Sequence, residues 1–418
     1  MTRCYTCMAK PKIFFIPTYI GPLKHYERLI PYLKDRYEVG FLIVRPDSPR
    51  RREMIEYCQA KKYTFYVIDQ GLAGDTKIRI PFFTPLKKRY EHSMACRNFL
   101  EAVRPVKIIS HKSWSPYDTI FKEANQKGIE TIVLQWSSDA GLIEGRKRQH
   151  IFLQKTYFYW LEKLYRILDL FYKESRYRCT PAIPKKIGVF SEKKAQDYLK
   201  KDYDSKTIRV VGSIDFQLVH ELKQKIDSNK VLREQLLKKY GLDQNRLKIM
   251  VVLHRFYLDL GENRMTIAEH VSHHYEMFKI IHEVFAEENV HIILKMHPTE
   301  NTMPEIYESY KQLGVKLYHG EAKTDELLCL ADLYISEPAS SVNYMVLASG
   351  TPAIFVNFSK AYFLNERMKY FYIKQIVSDQ WDFRRLLLQF KHGTLEKQYD
   401  NTRINVRSVE AVIELINE

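Results

Sequence analysis

Short apolar runs recur along this chain, separated by helix-like segments, and they do so in two successive series. The first series is 12–17 (KIFFIP), 39–44, 64–68, 106–110, 130–135 and 186–190, with 208–211 closing it. The second begins at 248–253 (KIMVVL) and continues through 291–295, 315–318, 333–336 and 352–356. Strands that alternate with helices need crossover connections, and crossovers make parallel, doubly wound sheets. At 418 residues the chain is too long for one ordinary hydrophobic core. Two α/β domains are therefore expected, over 1–215 and 246–395. Residues 216–245 read as a charged helical connector and 396–418 as a closing segment with a helix at 408–416. Other helices are expected at 25–34, 195–199, 275–288, 325–331 and 342–349.

Open parallel sheets bind ligands beyond the carboxyl ends of their strands. Two such ends in the second series are rich in polar groups. One runs into Lys295-Met296-His297-Pro298, and the other into Glu337-Pro338-Ala339-Ser340-Ser341. Hydroxyls and unpaired backbone N–H groups at a helix start form a phosphate cradle, which assigns Ser340 and Ser341 to a diphosphate. Arg255 ends the first strand of this series and supplies a bidentate fork for the same phosphates. Glu337 suits the vicinal diol of a ribose, Lys295 supplies charge, and His297 is placed for proton transfer. The pattern is neither a P-loop nor a GxGxxG fingerprint. Together these residues point to a nucleotide-activated substrate.

Three strand ends of the first series carry polar residues: Thr18 to Gly21, Ser110-His111-Lys112, and Gln135 to Asp139. This half is expected to bind the acceptor, with Thr18 and Gly21 on the acceptor side. The general base is sought among Asp139, His111 and Glu144, with Asp139 and His111 preferred. Glu269-His270-x-x-His273-His274 lacks the HExxH order and reads as a solvated helix face. Cys4-x-x-Cys7 has no second pair, so no metal or other cofactor is expected.

The net charge of +16, dense around Arg45, Arg50, Arg51, Arg52 and Lys87-Lys88-Arg89, suits a polyanionic partner. No recognition motif accompanies it, which argues against nucleic acid. Residues 150–178 carry Leu153, Tyr157, Trp160, Leu161, Leu164, Leu168 and Phe171 at helical spacing, with basic residues between them. Such a helix can lie on an anionic membrane surface or pack internally. No run of about 18 apolar residues spans a bilayer. Six scattered cysteines and the lack of an apolar leader fit a cytoplasmic protein, peripheral at the inner membrane face.

Taken together, these residues resemble the GT-B superfamily, and within it bacterial surface-polymer transferases such as CDP-glycerol glycerophosphotransferases and capsule transferases. Lys295 to Pro298 resembles their KxHP strand end. Ser336 to Gly350, followed by Thr351-Pro352-Ala353-Ile354, resembles their S-x-x-SS…G-x-P-x-I segment. Lys127 to Gln135 is similar to their KGIPTV-x-LQHG, except that Trp136-Ser137 replaces His-Gly. The resemblance covers roughly 100–360. It implies two Rossmann-like domains facing across a cleft with a C-terminal closing helix. It also implies transfer of a sugar or polyol-phosphate unit from a CMP-, CDP- or UDP-activated donor, without metal, to a surface polysaccharide or lipid-linked acceptor. A second likeness is to UDP-GlcNAc 2-epimerases, through Val252-Leu253-His254-Arg255 and Gly261-Glu262-Asn263. That family's V-E-A-G-x-R and SGG-x-QEE segments are replaced here by Gln135 to Asp139 and Ser340 to Tyr344. An isomerase and a non-catalytic nucleotide-binding protein are thus the alternatives to a transferase.

Overall fold

The computed structural model describes residues 10–44, 47–68, 83–111, 118–135, 183–200, 203–253, 267–296, 304–319, 322–337, 342–358, 372–400 and 402–418. These fall into two compact units. One holds the described residues up to 135, those at 183–212, and Val409–Glu418; the other holds those at 213–408.

The first unit contains β1 (Lys12–Ile16), α1 (Ile20–Glu27), α2 (Ile30–Leu33), β2 (Glu38–Val44), α3 (Pro49–Ala60) and β3 (Thr64–Ile68). It continues with α4 (Phe83–Val103), β4 (Lys107–Ser110), α5 (Asp118–Gln126), β5 (Glu130–Gln135), β6 (Lys186–Val189), α6 (Glu192–Leu199) and β7 (Ile208–Val210). Its seven strands lie in the order β3-β2-β1-β4-β5-β6-β7, all parallel. The expected helix at 25–34 is instead two helices, because Pro31 opens α2 and has no N–H with which to continue α1.

Phe14, Ile16, Leu42, Val44, Phe99, Ile108 and Val133 are among the buried side chains of one core of this unit. The Phe14 ring is set edge-on to both Tyr66 and Phe99. Gly40 lies directly against that ring, and a Cβ there would drive into it. Since Phe14 is buried and held on two sides, it has nowhere to go. Gly40→Ala is expected to destabilise this unit by about 1–3 kcal/mol, read as a lower denaturant midpoint; an unchanged midpoint would contradict this packing.

The second unit contains α7 (Ile214–Ser228), α8 (Lys230–Lys239), β8 (Leu247–Val252), α9 (Ile267–Val284), β9 (Val290–Lys295) and α10 (Pro304–Gln312). After these come β10 (Val315–Tyr318), α11 (Thr324–Leu330), β11 (Leu333–Ser336), α12 (Val342–Ser349), β12 (Ala353–Phe355) and α13 (Gln380–Lys391). Five parallel strands lie in the order β10-β9-β8-β11-β12. The stretch read as a connector folds as α7 and α8, divided at Asn229, whose Oδ1 accepts from Leu232 N at 3.0 Å. Both helices belong to this second unit. The final helix, α14 (Ser408–Asn417), belongs to the first: Lys186 Nζ donates to Leu415 O at 3.4 Å, and Arg209 pairs with Glu418.

Glu326 on α11 ties the second unit together. Burial alone would raise its pKa, but hydrogen bonds from Lys239, Tyr240 and Lys323 outweigh burial and hold the carboxyl down to about 2. A depressed carboxylate contributes stability above its unfolded value of 4.5, and that contribution is lost as pH falls toward the folded value. Wild type should therefore lose about 2–3 kcal/mol more than Glu326→Gln between pH ~4.5 and pH ~2. Paired acid-unfolding curves check this, and parallel curves would refute it.

Candidate active site

Strand order reverses at one place in each sheet, between β1 and β4 in the first and between β8 and β11 in the second. Chains leaving two such strands diverge to opposite faces of the sheet, which opens a crevice at their carboxyl ends. Both crevices are lined with polar residues.

In the first unit, β1 ends at Ile16 and β4 at Ser110, which are paired in register. Two residues past β1 stands Thr18, and one past β4 stands His111. Thr18 Oγ1 and His111 Nε2 share a hydrogen bond of 3.0 Å, and both side chains are buried. The backbone then turns into α1, whose N-cap is Tyr19; Gly21 lies in its first turn. The structure thus joins two of the residues that the sequence placed on the acceptor side or at the base. Gln135, at the end of β5, is buried, and its Oε1 has no hydrogen-bond partner among the described residues.

In the second unit, Glu337 follows β11 and its N–H donates to Val252 O of β8 at 3.1 Å, so the two switch-point strands stay paired up to the carboxylate. Ser336 Oγ donates to Glu337 O at 2.7 Å. Glu337 Oε2 lies 3.2 Å from His274 Nε2, and His274 Nδ1 lies 3.0 Å from Tyr310 Oη. All three side chains are buried, with Tyr310 fully so. A carboxylate, an imidazole and a phenol in series fix one another's orientation. Lys295, at the end of β9, donates from Nζ to Met296 O at 3.1 Å and His319 O at 2.8 Å. It therefore ties the ends of β9 and β10 together at the same edge of the sheet.

His274 is a functional candidate that the sequence reading placed in solvent, and here the structure corrects it. The signal was present in the helical phase. Met277, Phe278 and Ile281 follow at +3, +4 and +7 and are buried, so His274 occupies the core face of α9. Among the described residues, no group of three or more His, Cys, Asp or Glu is placed to hold a metal ion. His297, Arg255, Ser340, Ser341, Asp139 and Glu144 lie outside the described residues, as does the amphipathic segment 150–178. No described helix is long and apolar enough to cross a membrane.

Solved structures with this architecture supply a comparison. The UDP-GlcNAc 2-epimerase from Neisseria meningitidis bound to UDP-GlcNAc matches with a TM-score of 0.61 over 97% of this chain and 99% of its own, at 12% identity. The UDP-GlcNAc 2-epimerase from Methanocaldococcus jannaschii matches with a TM-score of 0.60 over 98% and 99%, at 13% identity. MurG from Acinetobacter baumannii gives 0.51 over 97% and 99%, at 11% identity. The chain has the GT-B fold. At these identities the likeness establishes architecture alone. No family model matches the sequence, and neither does any curated protein.

Proposed function

We propose that the protein is a metal-independent, inverting GT-B transferase. It moves a sugar or polyol-phosphate unit from a cytidine or uridine nucleotide to a surface polysaccharide or a lipid-linked acceptor. The observation that carries this reading is the Tyr310–His274–Glu337 series, which holds a buried carboxylate at the switch point of the five-stranded sheet. A carboxylate oriented there matches the vicinal hydroxyls of a nucleotide ribose. The structural neighbours support a nucleotide-sugar ligand, since one of them holds UDP-GlcNAc.

In the reaction, an acceptor hydroxyl attacks the transferred carbon or phosphorus. The bond from that centre to the nucleotide's phosphate oxygen breaks, and the nucleotide departs with the bonding electrons. The hydroxyl proton passes to a base, His111 or Asp139, with Thr18 fixing the His111 ring. His297 neutralises charge on the departing phosphate, while Ser340, Ser341, Arg255 and Lys295 support the nucleotide. Positioning and charge stabilisation supply most of the acceleration. No cofactor takes part.

The isomerase reading is favoured by one observation, the epimerases among the structural neighbours. Against it stand Gln135 at the strand end before the place of that family's carboxylate, and Ser340 to Tyr344 in place of its glycine signature. Incubation with CMP-, CDP- and UDP-activated donors tests the transferase proposal. Release of a free nucleotide from one of them is the expected result, and turnover of none would overturn the reading in favour of a binding role.

A further inference from the structure

Resting on the transferase reading, we infer that Gln135 is a specificity-determining residue of the first unit's crevice. Its side-chain amide binds a second hydroxyl of the acceptor, vicinal to the one that attacks. In the seven-stranded sheet β5 lies beside β4, and β4 beside β1. Ser110, the last residue of β4, pairs in register with Ile16 of β1 and with Val133 of β5. Gln135 stands two residues past Val133, so its side chain leaves the same face of the sheet, one row nearer the carboxyl edge. Neighbouring strands lie about 4.8 Å apart, so Gln135 flanks the strand end that carries His111.

The amide has no task in the resting fold. Gln135 is 4% exposed, and its Oε1 has no hydrogen-bond partner among the described residues. Three other buried polar side chains at this edge are engaged: Thr18 with His111, Ser110 Oγ with Ile16 O, and Ser191 Oγ with Lys194 N at the start of α6. A buried polar atom without a partner weakens a fold. An apolar side chain would serve the end of β5 better, as Val133 does in the core on the same face. A group that costs stability and stands at a ligand crevice is one that a ligand completes.

The chemistry of the missing partner follows from the amide. It is neutral and offers a charged group no counter-charge, so it suits a neutral group that both donates and accepts, as a hydroxyl does. The attacking hydroxyl gives its proton to the base, which leaves it no hydrogen for Gln135 Oε1. A hydroxyl on the adjacent carbon has one. With His111 on β4 as the base and Gln135 on β5 holding the neighbour, a vicinal diol is gripped at both oxygens and the attacking one is oriented. An acceptor that lacks the second hydroxyl would leave the amide unpaired, and sites of that kind discriminate against such analogues.

Transfer by the full chain to three small alcohols, 1,2-propanediol, 1,3-propanediol and 1-propanol, tests the inference with whichever donor the protein turns over. Wild type should favour the 1,2-diol over the other two about tenfold. Gln135→Met and Gln135→Leu should each abolish that preference, while the denaturant midpoint stays level or rises because the unpaired amide is gone. A structural role would do the reverse, lowering the midpoint and leaving the preference intact. If one variant fails to fold, the other carries the comparison. No preference in wild type, a preference that survives in both variants, a midpoint lowered in both, or no transfer to any of the three alcohols would each overturn the inference. Those failures leave the transferase reading standing wherever nucleotide is still released to water. Release from no donor at all would overturn that reading, and this inference with it.

Discussion

Glu337→Ala should lower donor turnover at subsaturating substrate about 100-fold and should also destabilise the second unit. Both effects follow from one geometry. Hydrogen bonds to a charged carboxylate contribute about 1.5–3 kcal/mol each, so losing those to a ribose weakens the nucleotide by one to two orders of magnitude. The same truncation removes the His274 partner at 3.2 Å inside a closed core. A buried polar group left without its partner costs about 1–3 kcal/mol, which lowers the melting temperature. Glu337→Gln separates the two effects. Its amide can still meet His274, so stability should largely return, while the charge that favours the ribose hydroxyls stays absent. A raised KM with a near-normal kcat in this variant would mark Glu337 as a nucleotide-binding group. Wild-type kinetics in Glu337→Ala would remove it from the site.

His297→Ala should reduce kcat about 10²- to 10⁴-fold, the range over which a positioned proton-transfer group contributes. The strand before it is described up to Met296. Met296 N donates to Tyr318 O at 2.9 Å, one step beyond the β9–β10 register that ends with Lys295 opposite Tyr318. In the sequence His297 comes directly after Met296, and Pro298 after it has no N–H to offer a strand ladder. The loss should fall on kcat, with melting behaviour unchanged. Retained activity would refute the assignment.

Much of the architecture was legible because buried parallel strands are short apolar runs with little ambiguity. Residues 64–68, 130–135, 315–318 and 333–336 fold as strands over the spans read from sequence. Helices were harder. The split between α1 and α2 turns on Pro31 alone, and α13 was not foreseen because its buried residues are only Phe383, Leu386 and Leu387. The site was legible in part. Strand ends announce themselves through polar residues after apolar ones, which located Thr18, His111, Lys295 and Glu337. Pairing does not announce itself. Thr18 and His111 are 93 residues apart and meet only because β4 is laid beside β1. His274 was misjudged because a cluster of histidines looks solvent-facing until the helical phase is followed through Phe278 and Ile281.

Transfer of a nucleotide-activated unit, as opposed to its isomerisation, can be tested in one reaction. The direct test supplies purified protein with CMP-, CDP- and UDP-activated donors, UDP-GlcNAc included, and resolves free nucleotide and epimeric UDP-hexosamine in the same reaction. Free nucleotide is expected to accumulate from one donor class, with no epimer formed. Interconversion of UDP-hexosamines would contradict it.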